Sequence, residues 1–178
     1  MTIREVTEAD AQELLEIYAP YVKETAISFE YEVPALEEFT ERIRRISQKY
    51  PYLKAEEDGR IVGYAYANTF KGRKAYDWSV ETTIYIQNDR RRQGLGRLLY
   101  GELERVLADR GILNMYACIA SPTGEDVHLT DASLRFHERM GFTLVGEFHQ
   151  CGYKFDTWYD MVWMEKIIGE HVKCPKEI

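Results

Sequence analysis

The sequence predicts a mixed α/β fold. Three observations carry that expectation. Short stretches rich in β-branched and aromatic residues read as strands. Between them lie longer stretches with apolar residues at helical spacing. Two glycines, Gly94 and Gly96, fall where a strand-like stretch must turn into a helix-like one.

Taken in order, Ile3 to Val6 reads as a short first strand. Thr7 follows as a helix N-cap, with Asp10 in the place where a capping box puts its acid or amide. Leu14, Leu15, Ile17, Tyr18 and Tyr21 then give a helix with an apolar face. A second helix follows Pro34, with Leu36, Phe39, Ile43 and Ile46 on one side, and Pro51 ends it. Tyr52 to Ala55 and Ile61 to Thr69 read as strands joined across Asp58-Gly59, a hairpin signal. Trp78 to Ile86 is a longer strand, followed by the glycine loop and a helix marked by Leu99, Leu103, Val106 and Leu107. Met115 to Ala120 is a further strand, 121–131 a polar loop, and Ala132 to Met140 a short helix with Gly141 at its C′ position. Two strands, about 143–155 and 158–166, close the series.

Composition bounds the function. With 178 residues, 45% of them hydrophobic, the chain is long enough for one domain with a real core, expected over 1–168 with a polar tail at 169–178. A net charge of -7 argues against a nucleic-acid surface, which needs a basic footprint. No secretory signal or membrane-length apolar run is visible, so a cytoplasmic protein is expected. The three cysteines form no C-x-x-C pair, and Cys118, in the apolar run MYACIA, is expected to be buried. The four histidines show no metal-ligand spacing, and no metal is expected.

The run Arg90-Arg91-Arg92-Gln93-Gly94-Leu95-Gly96-Arg97 carries the chemistry. Glycine lets the backbone approach a ligand and adopt positive φ, while the first helical amides, with the dipole, attract phosphate. A dinucleotide loop would need a third glycine where Leu99 stands, and no G-x-x-x-x-G-K-[ST] run occurs. What remains is [Arg/Gln]-x-x-Gly-x-[Gly/Ala], filled by Arg91, Gly94 and Gly96, which resembles the acetyl-CoA loop of the Gcn5-related N-acetyltransferase (GNAT) family. Further ordered blocks resemble its phosphinothricin and methionine sulfoximine N-acetyltransferase group. They are Lys71 to Trp78 (KGRKAYDW), the strand with Glu81, Leu134 to Phe142 (LRFHERMGF), Gly152-Tyr153-Lys154 and Trp158-Tyr159-Asp160, so the likeness spans roughly 2–166.

That resemblance implies the GNAT acyl-CoA N-acyltransferase fold, a mixed, mostly antiparallel sheet flanked by helices, and an N-acetyltransferase that moves acetyl from acetyl-CoA directly to the α-amine of a small amino acid or analogue. It also implies a homodimer. Cofactor contacts carried over are Ile84, Tyr85 and Ile86 on the strand, Arg91, Arg92, Gln93, Gly94, Leu95, Gly96 and Arg97 in the loop, and Thr130 and Ser133 at the short helix. Relatives often carry asparagine where Thr130 stands, and the loop Ser121–Leu129 is longer than in the herbicide-detoxifying enzymes, which is expected to reshape the acceptor pocket.

The residues fit that chemistry. Along 78–86, Trp78, Val80, Thr82, Ile84 and Ile86 share one face and Ser79, Glu81, Thr83 and Tyr85 the other. Transfer to an amine needs a base, because an amino acid is mainly ammonium near neutral pH, and Glu81 in mid-strand is the candidate. His137, in the short helix, is the candidate donor to the leaving thiolate. The resemblance further implies that Phe29, Lys71, Arg73, Thr83 and Tyr85 bind the acceptor; Lys71 and Arg73, which by composition alone read as a solvated loop, alternate along an extended segment and would meet its anionic ends. Two other readings remain at this point: acetylation of a peptide, protein or polyamine amine, and a non-catalytic acyl-CoA-binding module.

Overall fold

The structure is a computed structural model that describes residues 1–175 and 177–178. Seven strands form one sheet in the order β1-β2-β3-β4-β5-β7-β6. They are β1 (Thr2–Glu5), β2 (Tyr52–Glu57), β3 (Arg60–Thr69), β4 (Ser79–Ile86), β5 (Asn114–Ser121), β6 (Thr143–Lys154) and β7 (Thr157–Ile167). All neighbours are antiparallel except β4 and β5. A parallel pair needs a crossover, and α3 (Leu95–Asp109) supplies it. The other helices are α1 (Ala11–Glu24), α2 (Leu36–Ser47) and α4 (Ala132–Arg139). Element order follows the sequence pattern, with boundaries shifted by a residue or two and α1 and α2 placed as expected.

The Thr7–Asp10 signal is used, but on a single 3-10 turn ahead of α1. The Thr7 N–H donates to the Asp10 carboxylate at 2.7 Å, and Lys54 pairs with the same group at 2.7 Å. Helices α1 and α2 cover one face of β2–β4, where Tyr18 packs between Phe39 and Tyr85. Helices α3 and α4 cover the opposite face: Leu99, Leu103, Leu107, Val80, Met115 and His137 are all buried there. Burial of several aliphatic side chains at about 1.5–3 kcal/mol each holds these layers together. No helix is long and apolar enough to cross a membrane among the described residues.

Candidate active site

Strands β4 and β5 pair only where Ser79–Glu81 meets Asn114–Tyr116, yet both run on, to Ile86 and Ser121. The sheet therefore opens into a fork immediately past Glu81. The Gln87 N–H bonds the Val62 carbonyl while Ile86 stands opposite Gly63, so residues 81, 83 and 85 spend their main-chain groups on β3. Those of 82, 84 and 86 turn into the fork. Thr82 Oγ1 closes its crotch by donating to the Tyr116 carbonyl at 3.1 Å.

Glu81 stands at that crotch, opposite Asn68 on β3 and Tyr116 on β5. Burial raises its pKa above the usual carboxylate value, opposed by the nearby Lys71 ammonium. Lys71 lies over the Phe70 and Trp163 rings, 5.1 and 5.6 Å from their centroids. The expected extended segment is instead bent: Arg73 caps a 3-10 turn over Lys74–Tyr76 and is exposed, with no ion pair among the described residues. The residues Gly72 and Arg73 follow the end of β3, where the ladder with β4 that would straighten them has stopped.

Thr83 faces Tyr66 across the ladder. Tyr85 is a wall between layers, edge-on to Tyr18 and Tyr21 at 4.9 and 4.8 Å. A cavity of about 560 Å³ lies between α2 and the sheet, lined by Tyr18, Tyr52, Tyr64, Tyr66, Tyr85 and Asn68 among others. Arg42 lines it too, held by Glu30 at 2.6 Å and Glu38 at 2.5 Å. Its charge is thereby committed before any ligand arrives.

Phe29 sits in the connection between α1 and α2, pressed on Gly152: a methyl group at 152 would lie 2.3 Å from Phe29 Cε2. That connection is held by Lys154, buried at the end of β6, whose ammonium donates to the carbonyls of Val22, Thr25 and Ser28 at 2.7, 2.9 and 2.7 Å. The Tyr31 hydroxyl adds a bond to the Tyr153 carbonyl. Sequence reasoning missed Gly152 and Lys154 as parts of the site, although both lie in a block that marked the resemblance. The legible signal was a lysine ending an aromatic-rich strand, where a charge is costly unless well partnered.

His137 is buried, with both ring nitrogens engaged. Nδ1 meets the Ser133 carbonyl at 2.8 Å and must carry the proton, so Nε2 accepts from the Tyr100 hydroxyl at 2.9 Å. Burial pushes its pKa down to about 4. The expected proton donor is thus a neutral imidazole behind Tyr100, whose hydroxyl also lies 3.1 Å from Thr82 Oγ1. The physical cause is the packing of the Tyr100, Phe136 and Phe142 rings around it.

The glycine loop divides its labour. Gly94 caps α3 with φ 81°, a left-handed conformation that suits glycine. Gly96 is small for another reason: a methyl there would lie 2.9 Å from Phe136 Cε2. The first helical bond runs from Leu98 N–H to the Gly94 carbonyl, leaving the amides of Leu95, Gly96 and Arg97 ahead of it. Arg90 pairs with Glu57 at 2.7 Å, while Arg91 and Arg92 are exposed. Gln93 turns back to the Asp89 carbonyl at 3.2 Å. Free amides, two exposed arginines and a fork edge fit a pyrophosphate carrying an extended arm, as in acetyl-CoA. Thr130 and Ser133 flank the start of α4, where the Thr130 hydroxyl meets the Ala132 N–H at 3.4 Å.

The loop 121–131 docks on the end of α1. Ala26 N–H bonds the His128 carbonyl, and Asp126 accepts from the His128 and Leu129 amides and from Tyr159. Leu129 thereby joins Ala26, Tyr159 and Phe29 in a small apolar cluster. Cys118 is exposed, contrary to expectation, because it shares the face of Tyr116 that no helix covers. Strand pairing also brings Glu147, His149 and Asp160 within 4.8 Å of one another, a grouping that linear spacing hides.

Comparison with known proteins agrees with this geometry. A family model described as an acetyltransferase (GNAT) domain matches residues 3–163. A phosphinothricin N-acetyltransferase of Streptomyces viridochromogenes is 35% identical over 159 residues, 89% of this chain and 83% of that protein. An L-methionine sulfoximine/L-methionine sulfone acetyltransferase of Salmonella typhimurium is 29% identical, covering 96% of each chain. Among solved structures, a phosphinothricin acetyltransferase from Sinorhizobium meliloti in complex with AcCoA superposes with a TM-score of 0.90 at 31% identity, over 99% of this chain and 93% of that one.

Proposed function

From the premise that the chain belongs to the GNAT family and is an N-acetyltransferase using acetyl-CoA, we propose that its acceptor is the α-amine of a small amino acid or analogue of the phosphinothricin or methionine sulfone type. The observation that carries the reading is Glu81 at the crotch of the β4–β5 fork, with its pKa raised by burial. The names of the relatives support the acceptor class.

Acetyl-CoA supplies the acyl group as a thioester. In this reading Glu81 takes the proton from the acceptor ammonium, directly or through one water, and frees the lone pair for attack. A base with a raised pKa is better matched to that task than an ordinary surface carboxylate. The Ile84 N–H, turned into the fork by strand parity, donates to the acyl oxygen as charge develops there. Transfer is direct, with both substrates bound together: the tetrahedral adduct collapses by breaking the C–S bond, and the departing CoA thiolate takes up the proton that the attacking nitrogen sheds. His137 is a positioning residue here: its Nε2 holds the Tyr100 hydroxyl, which packs 3.1 Å from Thr82 Oγ1 behind the crotch. Lys71 meets the acceptor carboxylate, Phe29 walls its side chain, and Arg73 contributes only long-range charge. Exposed Val145, Phe148 and Trp158 on β6 and β7 support a homodimer.

The test is CoA release from acetyl-CoA with a panel of methionine sulfone, methionine sulfoximine, phosphinothricin, ordinary amino acids, polyamines and peptides. Turnover with the first three and an N-acetyl product by mass spectrometry is expected. Turnover only with polyamines or peptides overturns the acceptor class.

A further inference from the structure

Tyr21, on the buried face of α1, belongs to none of the motifs above. Its hydroxyl accepts from the N–H of Ile86 at 3.0 Å and donates to the carbonyl of the same residue at 2.5 Å. These are the two main-chain groups that strand parity turns into the fork at the end of β4. A helix side chain therefore takes the last rung of an otherwise open strand edge, and Ile84 is left as the open rung before it. Both main-chain groups of Ile86 are thus engaged by Tyr21.

The same residue reaches the loop. The Arg91 guanidinium carbon lies 4.8 Å from the centroid of the Tyr21 ring, a cation–π arrangement. Tyr85 packs edge-on to that ring at 4.8 Å, and the two bonds to Ile86 fix its tip, so the seat is rigid. The neighbouring arginines are treated differently. Arg90 is engaged by Glu57 at 2.7 Å, and Arg92 stands on a left-handed backbone, φ 64°.

We propose that Tyr21 is a positioning residue for the co-substrate: its ring seats the Arg91 guanidinium beside the pyrophosphate cradle before the ligand arrives, and its hydroxyl ties that seat to the end of β4. This rests on the reading of 91–97 as the CoA loop. The physical gain is preorganisation. A free arginine carries considerable rotamer entropy, part of which is lost on binding unless the side chain is already held. The effect belongs to CoA affinity more than to the chemical step.

The experiment is calorimetric titration of CoA, without acceptor, into wild type, Tyr21→Leu, Arg91→Ala and the double variant. Tyr21→Leu is expected to weaken CoA about tenfold and to raise the acetyl-CoA KM more than it lowers kcat. In the Arg91→Ala background the same change is expected to cost little, because its route is already gone. Equal loss in both backgrounds means that Tyr21 supports the fold at large and overturns the proposal. Should Tyr21→Leu fail to fold, Arg91→Lys leaves α1 untouched, keeps the charge and gives up the planar stack. It is expected to weaken CoA severalfold, and wild-type affinity there overturns the seat. If Arg91→Ala binds CoA as wild type does, the reading of the loop itself fails, a separate outcome.

Discussion

The two halves of the sheet are built differently. Strands β2 to β4 are sandwiched: α1 and α2 lie on one face and α3 on the other, and Tyr64, Ala65 and Ala67 are almost wholly excluded from water. Strands β5 to β7 keep one face packed, through Met115, Val162 and Met164, while Cys118 and Phe148 on the other are exposed. The halves are joined by the short parallel pairing of β4 with β5, and Glu81 lies at its last rung. The difference teaches where chemistry is possible in such a sheet. A fully paired, doubly covered strand offers a ligand no open main-chain edge, and a fully open face cannot shift a carboxyl pKa. The seam offers both burial and access.

The largest expected effect tests the seam itself. Glu81→Gln is expected to lower kcat by about 10²–10⁴ with CoA affinity largely kept, the range for loss of a general base. Steady-state kinetics beside CoA titration checks it; kcat within twofold of wild type removes Glu81 from the mechanism. The pH profile sharpens the point: the rising limb of kcat/KM should lie above the ordinary glutamate value in wild type and vanish in the variant.

Next come the halves. Ile43→Ala, in the layer between α2 and the sheet, is expected to cost roughly 3–4 kcal/mol by the cavity it leaves. Phe148→Ala, on the open face, is expected to cost under about 0.5 kcal/mol at concentrations where the chain is a monomer, and more where the proposed dimer forms. Equal costs in denaturant titrations would mean that a partner copy covers the open half, and sedimentation of the two variants would show it.

Lys154→Met tests how the open half is tied to α1. Three carbonyls lose their donor, and about 3 kcal/mol of stability should go with them. Hydrogen exchange should rise first over 25–31, with acceptor KM increasing as Phe29 loosens.

A pH dependence comes last. His137 has a folded pKa near 4, below its unfolded value, so the unfolded chain binds the proton more tightly. Its contribution is present above the unfolded value near 6.5 and is lost as pH falls toward 4. Relative to about pH 8, stability should drop by about 2 kcal/mol by about pH 5, beyond the carboxylate background measured in His137→Asn. Parallel curves for the two proteins would show that the imidazole is not buried neutral.

Much of this was legible in the chain. The element order follows from periodicity because an amphipathic helix and a half-buried strand leave different apolar spacings. The glycine loop was legible because its chemistry is local: a turn, three helical amides and adjacent charge all come from eight consecutive residues. Glu81 was legible for a similar reason, as a carboxylate in mid-strand. The exposure of Cys118 was not, since its apolar run reads the same whether or not a helix covers it. Nor was the engagement of His137, whose hydroxyl partner comes from α3, 37 residues away.

The sequence by itself determined the mixed α/β architecture, the phosphate-type loop and the base candidate, since each depends on residues adjacent along the chain. Tertiary structure alone decided that the sheet forks past Glu81, that Lys154 and Gly152 hold Phe29, that Arg73 stands clear, and that Tyr21 reaches both Ile86 and Arg91. Those are matters of which surfaces meet. Strand register, helix docking and a lysine bonded to carbonyls 126–132 residues away are contacts between distant segments. No local spacing encodes them, because they come into being only when burial of the common core brings the segments together.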